Sequence, residues 1–271
     1  MLSILNSISS LTAENALSST QSSLQKSLTE LSTGLKINSG SDDAAGLSIA
    51  NGLQANISAL TQSSQNASDG VGLLQTADGA LSQVTTLLDR AVTLATEAST
   101  GGLSTSQATA LDTEYQSILT EIGSIGSTTN YNGTAIFGTT ASVYTSDGTS
   151  AGSATISTAI SALTTAGLSL TGTGLTSTAT AQTALTDISA AISTIAANRG
   201  AIGAAVNRLN ADTNVENTEV TNLTAAQNNV QNADIGATVT QMTQYSVLQQ
   251  TGMEALSQSN QAQEAVLKLL Q

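Results

Sequence analysis

A seam with a repeat close to seven runs through Leu53, Ile57, Leu60, Ser64, Ala67, Val71, Leu74, Asp78, Leu81, Leu88, Val92 and Ala95. Seven residues make nearly two helical turns, so the seam lies along one face of a helix and needs a partner for its whole length. At 1.5 Å per residue it predicts a coiled-coil-like helix on the order of 70–80 Å long. Proline, which would break such a helix, is absent from all 271 residues. Gly101-Gly102 ends the pattern, and Ser104 is placed to cap a next helix carrying Leu111, Tyr115, Ile118, Leu119, Ile122 and Ile125 on one side. The short connection folds that helix back antiparallel on its predecessor.

Helical stripes also occupy both ends. Leu5, Ile8, Leu11, Leu17, Leu24, Leu28, Leu31 and Leu35 fall mostly at spacings of three, four and seven. Ile235, Val239, Met242, Tyr245, Leu248, Met253, Leu256, Val266 and Leu269-Leu270 form the last stripe, after a long one at Leu185, Ile188, Ile192, Ile195, Ile202, Val206, Leu209, Val220, Leu223 and Val230. Between the first two helices lies a polar joint, Lys36 to Asp43, where Gly34 and Gly40 allow a turn and Ser41, Asp42 or Asp43 can cap the helix that follows. From Asn130 the pattern changes. Tyr131-Asn132-Gly133 signals a hairpin turn, with Ala135-Ile136-Phe137 and Ser142-Val143-Tyr144 as its expected strands, closed again at Asp147-Gly148. The Ser/Thr/Gly/Ala-rich tract that follows reads as surface-exposed hairpin and loops.

The expected fold is mainly α: an elongated antiparallel coiled-coil-like helical bundle with a small β-hairpin region in a central insert. Residues 1–43 and 225–271 are terminal helices, 44–137 and 182–224 a long-helix core, and 138–181 a short exposed insert.

Composition excludes several functions. The chain has neither His nor Cys, so the common metal clusters, disulfides and the His-based nucleophilic triads cannot form. Asp42-Asp43 is the tight acidic pair, and adjacent carboxylates in a joint serve as caps; a carboxylate-pair hydrolase needs acids facing across a cleft. No catalytic residue, metal ligand or cofactor site is expected. With a net charge of −13 and six scattered cations, nothing clusters to neutralise nucleic-acid phosphates. No apolar run reaches membrane-spanning length, and MLSILNSISSLTAENAL lacks the basic start and unbroken apolar stretch of a Sec-type signal peptide.

The string Leu31 to Leu53, LSTGLKINSGSDDAAGLSIANGL, closely resembles the signature of bacterial flagellins. Ala67 to Leu81 (ASDGVGLLQTADGAL), Tyr131-Asn132-Gly133-Thr134, Asn198 to Ala204, Asn207-Arg208-Leu209 and Leu248 to Gln261 are similar to further segments of that family. The resemblance implies a structural subunit, not an enzyme, that polymerises head-to-tail into a flagellar filament for swimming. Its terminal segments would pair as the inner layer and order on assembly, with a short outward insert. Implied assembly residues are Leu24, Leu28, Leu31, Leu35, Ile37, Asp42, Asp43, Leu248, Leu256, Val266, Leu269 and Leu270. Implied partners are the chain itself, hook-associated and cap proteins, an export chaperone and the flagellar type III export apparatus, with no nucleic acid and no membrane insertion. The implied location is extracellular, reached through the flagellar channel without a cleaved signal peptide. Leu88, Arg90, Leu94 and Glu114 match positions at which some flagellins contact a vertebrate Toll-like receptor, although Asp89, Ala91, Val92 and Thr93 depart from that motif; the alternative places Arg90 and Glu114 at a subunit interface. Within the family the competing reading is the hook–filament junction protein, and outside it a secreted coiled-coil adhesin or effector.

Four positions depart from the family's pattern: Glu30 and Gln65 stand where Arg is common, Asn232 where Asp is, and Gln271 where the last residue is Arg. Each removes a charge or reverses one, and exposed ion pairs contribute at most about 1 kcal/mol apiece. Assembly should therefore be less sensitive to salt; equal filament stability from low to high ionic strength would support this, and a steep salt dependence would contradict it.

Overall fold

The structure, a computed structural model, describes residues 8–149 and 153–269. Among them are five helices, α1 (Ile8–Thr33), α2 (Ala44–Ala98), α3 (Thr105–Thr128), α4 (Thr178–Gln231) and α5 (Ile235–Leu269). Four strands, β1 (Asn130–Tyr131), β2 (Thr134–Ala135), β3 (Thr139–Ser146) and β4 (Ser153–Ile160), form two antiparallel pairs, β1–β2 and β3–β4. The fold is mainly α, as expected. The chain divides into two compact units, Met1–Ala55 with Asn222–Gln271, and Asn56–Thr221.

The larger unit holds most of the core. On α2 the buried positions of this unit are Leu60, Ala67, Leu74, Leu81, Leu88 and Ala95, seven apart, interleaved with Ser63, Gly70, Ala77, Val84, Ala91 and Ala98 three residues after each, with Leu94 besides. This corrects half of the expected seam. Ser64, Val71, Asp78 and Val92, read as seam positions from hydropathy and spacing, are only half-buried. The centre is taken by the smaller residues beside them, and at Gly70 the neighbour is Val143 of β3, which an added Cβ would approach to 2.3 Å. The same holds on α4. Ala181, Ala184, Ile188, Ala191, Ile195, Ile202, Ala205 and Leu209 are buried, whereas Leu185, Ile192 and Val206 pack partly exposed against the edge of the core.

Polar contacts fix the register between these helices. Arg199 on α4 donates from Nε and Nη2 to the two carboxylate oxygens of Asp78 on α2, at 2.8 and 3.1 Å. Nearer the other end, Ser63 on α2 donates to Glu216 on α4. The ascending numbers on one helix meet descending numbers on the other, so they run antiparallel. α3 starts at Ser104, whose hydroxyl accepts the Gln107 N–H while the Gln107 side chain accepts the Ser104 N–H, a reciprocal cap.

The β region differs from expectation in pairing. Asn132 and Gly133 have φ of +49° and +76°, the left-handed pair that a two-residue hairpin turn requires, but this turn joins β1 to β2. Ser142-Val143-Tyr144 instead belongs to β3, which pairs with β4, a strand drawn from the Ser/Thr-rich tract. Asp147-Gly148 does follow the end of β3. Nor is the tract all surface. Its sparse apolar residues Ile156, Ile160, Leu163, Leu168, Leu170 and Leu175 are buried in the core, while its Ser and Thr largely face water. Three bonds from α3 pin its far end: Tyr115 Oη pairs with Thr173 Oγ1 at 2.6 Å, Gln116 donates to the Thr173 carbonyl at 2.9 Å, and Asp112 accepts the Leu175 N–H at 2.7 Å.

Gly126 on α3 marks the closest approach of this tract, since a Cβ there would lie 2.0 Å from the Leu163 carbonyl oxygen. Alanine gains about 1 kcal/mol over glycine in a helix interior, but overpacking costs about 1–3 kcal/mol, and here the obstructing atom is backbone. Gly126→Ala should therefore lower the thermal midpoint followed by circular dichroism; a raised midpoint would show that the tract yields freely.

Candidate assembly interface

The smaller unit brings the two terminal helices together. α1 packs on α5, with Ser10 and Ser259 hydroxyls 2.9 Å apart and Gln249 donating to the Gln21 side-chain oxygen, so the pair is antiparallel. Leu17 lies over Gly252, where an added Cβ would come within 3.3 Å of Leu17 Cδ1. Neither helix has charge at the contacts named, and the helices depend on apolar and amide packing.

The polar joint after α1 is built by its own side chains. Gly34, with φ +74°, turns the chain out of α1. Asp42 Oδ2 accepts the N–H groups of Asn38 and Ser39 and the Ser39 hydroxyl, at 3.0–3.2 Å, and its Oδ1 lies 3.1 Å from Lys26 Nζ on α1. The Lys26 ammonium first, then the Ser39 hydroxyl and the Asn38 N–H, hold the Asp42 carboxyl below the usual carboxylate range. Asp43 Oδ1 caps α2 by accepting from Ala45 and Gly46 at 3.0 and 2.9 Å. Gly46 admits no side chain: a Cβ there would meet both the Asp43 carboxylate and Ile37 Cδ1 at 2.6 Å. The Asp-Asp-Ala-Ala-Gly string is therefore one device, in which the first acid closes the loop, the second caps the helix and the glycine leaves room for Ile37.

A second joint, between α4 and α5, meets the first. Lys36 N–H donates to the Gln231 carbonyl at 2.7 Å, Ala233 N–H donates to the Gly34 carbonyl at 2.9 Å, and Leu35 and Asn232 form an antiparallel bridge. Asp234 then caps α5 through the Ala237 N–H.

The expected assembly residues fall into distinct environments. Ile37 is buried; Leu24, Leu31, Leu35, Asp42 and Leu256 are half-buried; Leu28, Asp43 and Leu248 are exposed. Val266 and Leu269 lie in α5 with side chains outside the described set, and Leu270 lies outside the described residues. Ile37 and Ala50 are the buried apolar side chains of this unit among the described residues. Large apolar side chains are instead left in water: besides Leu28 (48% exposed) and Leu248 (46%), they are Ile8, Leu11, Ile49, Ile235, Val239, Val247 (56%) and Met253. Ile49 and Val247 escaped the periodicity because each sits off the stripe of its helix. The backbone pairing of the two joints, and the Lys26 partner of Asp42, also had no side-chain pattern to reveal them.

The four positions matched to receptor contacts lie in the larger unit. Leu88 and Leu94 are buried in its core, leaving Arg90 and Glu114 at the surface, where they pair at 2.7–2.8 Å between α2 and α3. Among the described residues no His, Cys, Asp or Glu grouping could hold a metal ion, and no helix is long and apolar enough to cross a membrane.

A carboxyl held below its ordinary value stabilises the joint above that ordinary value, and the contribution is lost as pH falls through the lowered one. Amide protection at Asn38 and Ser39 should thus survive mild acid and disappear only below the usual carboxylate range. Asp42→Asn should make it low and independent of pH, as read by hydrogen exchange; unchanged protection in that variant would remove Asp42 from this role.

Comparison with known proteins agrees with these motifs. The bacterial flagellin N-terminal helical region matches residues 4–142, and the C-terminal helical region matches residues 185–270. A flagellin of Serratia marcescens is 43% identical over 137 residues, 50% of this chain and 39% of that protein. The phase 1 flagellin of Salmonella naestved is 43% identical over 131 residues, 48% of this chain and 26% of its own. The aligned segments thus span well under half the length of these curated relatives. A crystal structure of Bacillus cereus flagellin is 32% identical with a TM-score of 0.49, covering 60% of this chain and 94% of that one. With both helical regions of the family matched, over residues 4–142 and 185–270, the chain belongs to the bacterial flagellin family.

Proposed function

We propose that the chain is a structural subunit that polymerises head-to-tail into the flagellar filament. The observation that carries this reading is the unsatisfied apolar surface of the terminal-helix unit. Burying a Leu, Ile or Val side chain contributes about 1.5–3 kcal/mol, and association costs an estimated 4–15 kcal/mol in lost translational and rotational freedom. A handful of the exposed side chains, from Leu11 and Leu28 on α1 to Val247, Leu248 and Met253 on α5, therefore suffices to drive association when copies cover one another. A contact between unlike surfaces that does not close into a ring propagates as a filament. The low charge of these helices suits close packing, since few ions must be desolvated.

In this reading the chain leaves the cell through the flagellar channel, with an export chaperone and the flagellar type III apparatus, and meets hook-associated and cap proteins at the filament ends. Filament formation would place it outside the cell. The larger unit, with its self-contained core, would act as the folded body that the terminal helices carry into the lattice.

Leu28→Ser with Val247→Ser tests this, because both side chains are already in water and their loss should barely alter the thermal midpoint of the isolated chain. Supplied with short filament seeds or a precipitating salt and imaged in negative stain, the parent should grow long uniform tubes and the double variant should not. Equal growth of both would sink the assignment of this surface. A parent that binds hook ends without growing would identify a junction protein instead.

A further inference from the structure

Glu216 stands where the α4 seam calls for its next apolar residue. Ala181, Ile188, Ile195, Ile202 and Leu209 precede it at intervals of seven, all buried, and Glu216 is itself only 6% exposed. A buried carboxylate is tolerated when both oxygens are compensated. Here one is not: Oε1 accepts the Ser63 hydroxyl of α2, while Oε2 has no hydrogen-bond partner.

The Ser63 link extends into the β3–β4 hairpin. Ser63 Oγ accepts the N–H of Ser146, the last residue of β3, at 3.0 Å. Thr145, buried, donates its hydroxyl to Asp212 Oδ2 of α4 at 3.2 Å and to the Ala154 carbonyl of β4 at 3.3 Å. Val143 seats over Gly70 of α2, where a Cβ would lie 2.3 Å from Val143 Cγ2. The end of the hairpin nearest its turn is therefore docked on α2 and α4 chiefly by a polar chain, Ser146–Ser63–Glu216, beside Thr145–Asp212.

We propose that Glu216 is a proton-operated latch for this hairpin: with the carboxyl neutral the hairpin is docked, and on ionisation the carboxylate turns toward water, Ser63 is drawn from Ser146, and the turn end loosens. The charged groups acting on Glu216 are both acids of its own helix, Asp212 and Glu219; α2 faces it with the uncharged Ser63, and the hairpin with the uncharged Thr145 and Ser146. Asp147, at the turn, has its carboxylate occupied by the Thr149 N–H and hydroxyl. Burial foremost pushes the Glu216 carboxyl above its ordinary value, the Ser63 bond opposes part of the rise, and the two acids add to it. The sign follows: docking is strongest below the ordinary carboxylate range and weakens as pH rises through the raised value. The latch belongs to a single chain, so it stands or falls apart from filament formation.

Hydrogen exchange of the full chain, followed on peptides covering β3 and β4 from about pH 4 to about pH 9 and corrected for intrinsic exchange, reads the latch. Protection in the parent should fall by about tenfold or more toward the alkaline end, with peptides around Ile188 to Ile202 unchanged. Glu216→Gln keeps the shape and the Ser63 bond without a titrating proton, and should give a flat profile. A flat parent profile, or an equal fall in that variant, overturns the latch; the second result would leave Glu216 as a fixed register marker only. Should Glu216→Gln not fold, Ser63→Ala supplies the decision. It should show at acidic pH the low protection that the parent reaches only when alkaline, and parent-like acidic protection would overturn the proposal.

Discussion

The core shared by α2, α3 and α4 is the constraint on which the larger unit depends. Every seventh residue of α2 from Leu60 to Ala95 is buried, and three residues after each comes a serine, glycine, valine or alanine that is buried as well. Gly70 lets the β3–β4 hairpin come down on α2, since a Cβ there would lie 2.3 Å from Val143 Cγ2, and α3 adds Tyr115, Ile118, Leu119 and Ile122 to the same core. The hairpin and the strand-to-helix tract behind it contribute Ile156, Ile160, Leu163 and Leu170. A chain with 2% aromatic residues builds this core mainly from Leu, Ile and Ala, with Tyr115 and Phe137 buried among them.

The terminal-helix unit follows the opposite rule. Its two joints are tied by backbone hydrogen bonds between Gly34-Leu35-Lys36 and Gln231-Asn232-Ala233, and by caps at Asp43 and Asp234, so its geometry at that end is set by polar groups. Along the helices there is little to bury against: two helices in contact share one seam each, and an apolar stripe wider than a seam stays wet. The exposed Leu28, Val247 and Met253 are the outcome. Order in one unit is thus internal, while in the other large apolar side chains remain in water.

Glu216 lies where the internal order ends. On α4 the buried series Ala181, Ile188, Ile195, Ile202 and Leu209 leads to Glu216, with Asp212 between the last two, and the end of β3 docks on those acids through hydroxyl groups. A polar residue within an apolar repeat limits register and partner choice at some expense of stability. It also makes this corner of the unit the part whose packing depends on solution conditions.

The sequence by itself determined the helical character, the stop after α2, the caps of α2 and α3, and the family. Local rules suffice for these, since the heptad spacing, the absence of proline, the Gly101-Gly102 stop, the Ser104 cap and the Asp42-Asp43 joint each act within one or two turns of chain. Leu28 and Leu248 were legible for the same reason as members of their helical stripes, and both are exposed. Tertiary structure alone decided which side of each seam is central: hydropathy ranks Val71 above Gly70, but Val143 of β3 seats where a Cβ on Gly70 would lie. It alone decided that β3 pairs with β4 and not across the Asn132-Gly133 turn, that a Ser/Thr-rich tract contributes core, that Lys26 reaches Asp42, and that Leu88 and Leu94 are enclosed while Arg90 and Glu114 stay outside. Each of these depends on residues far apart in the chain competing for the same space, and a one-dimensional pattern carries no record of that competition.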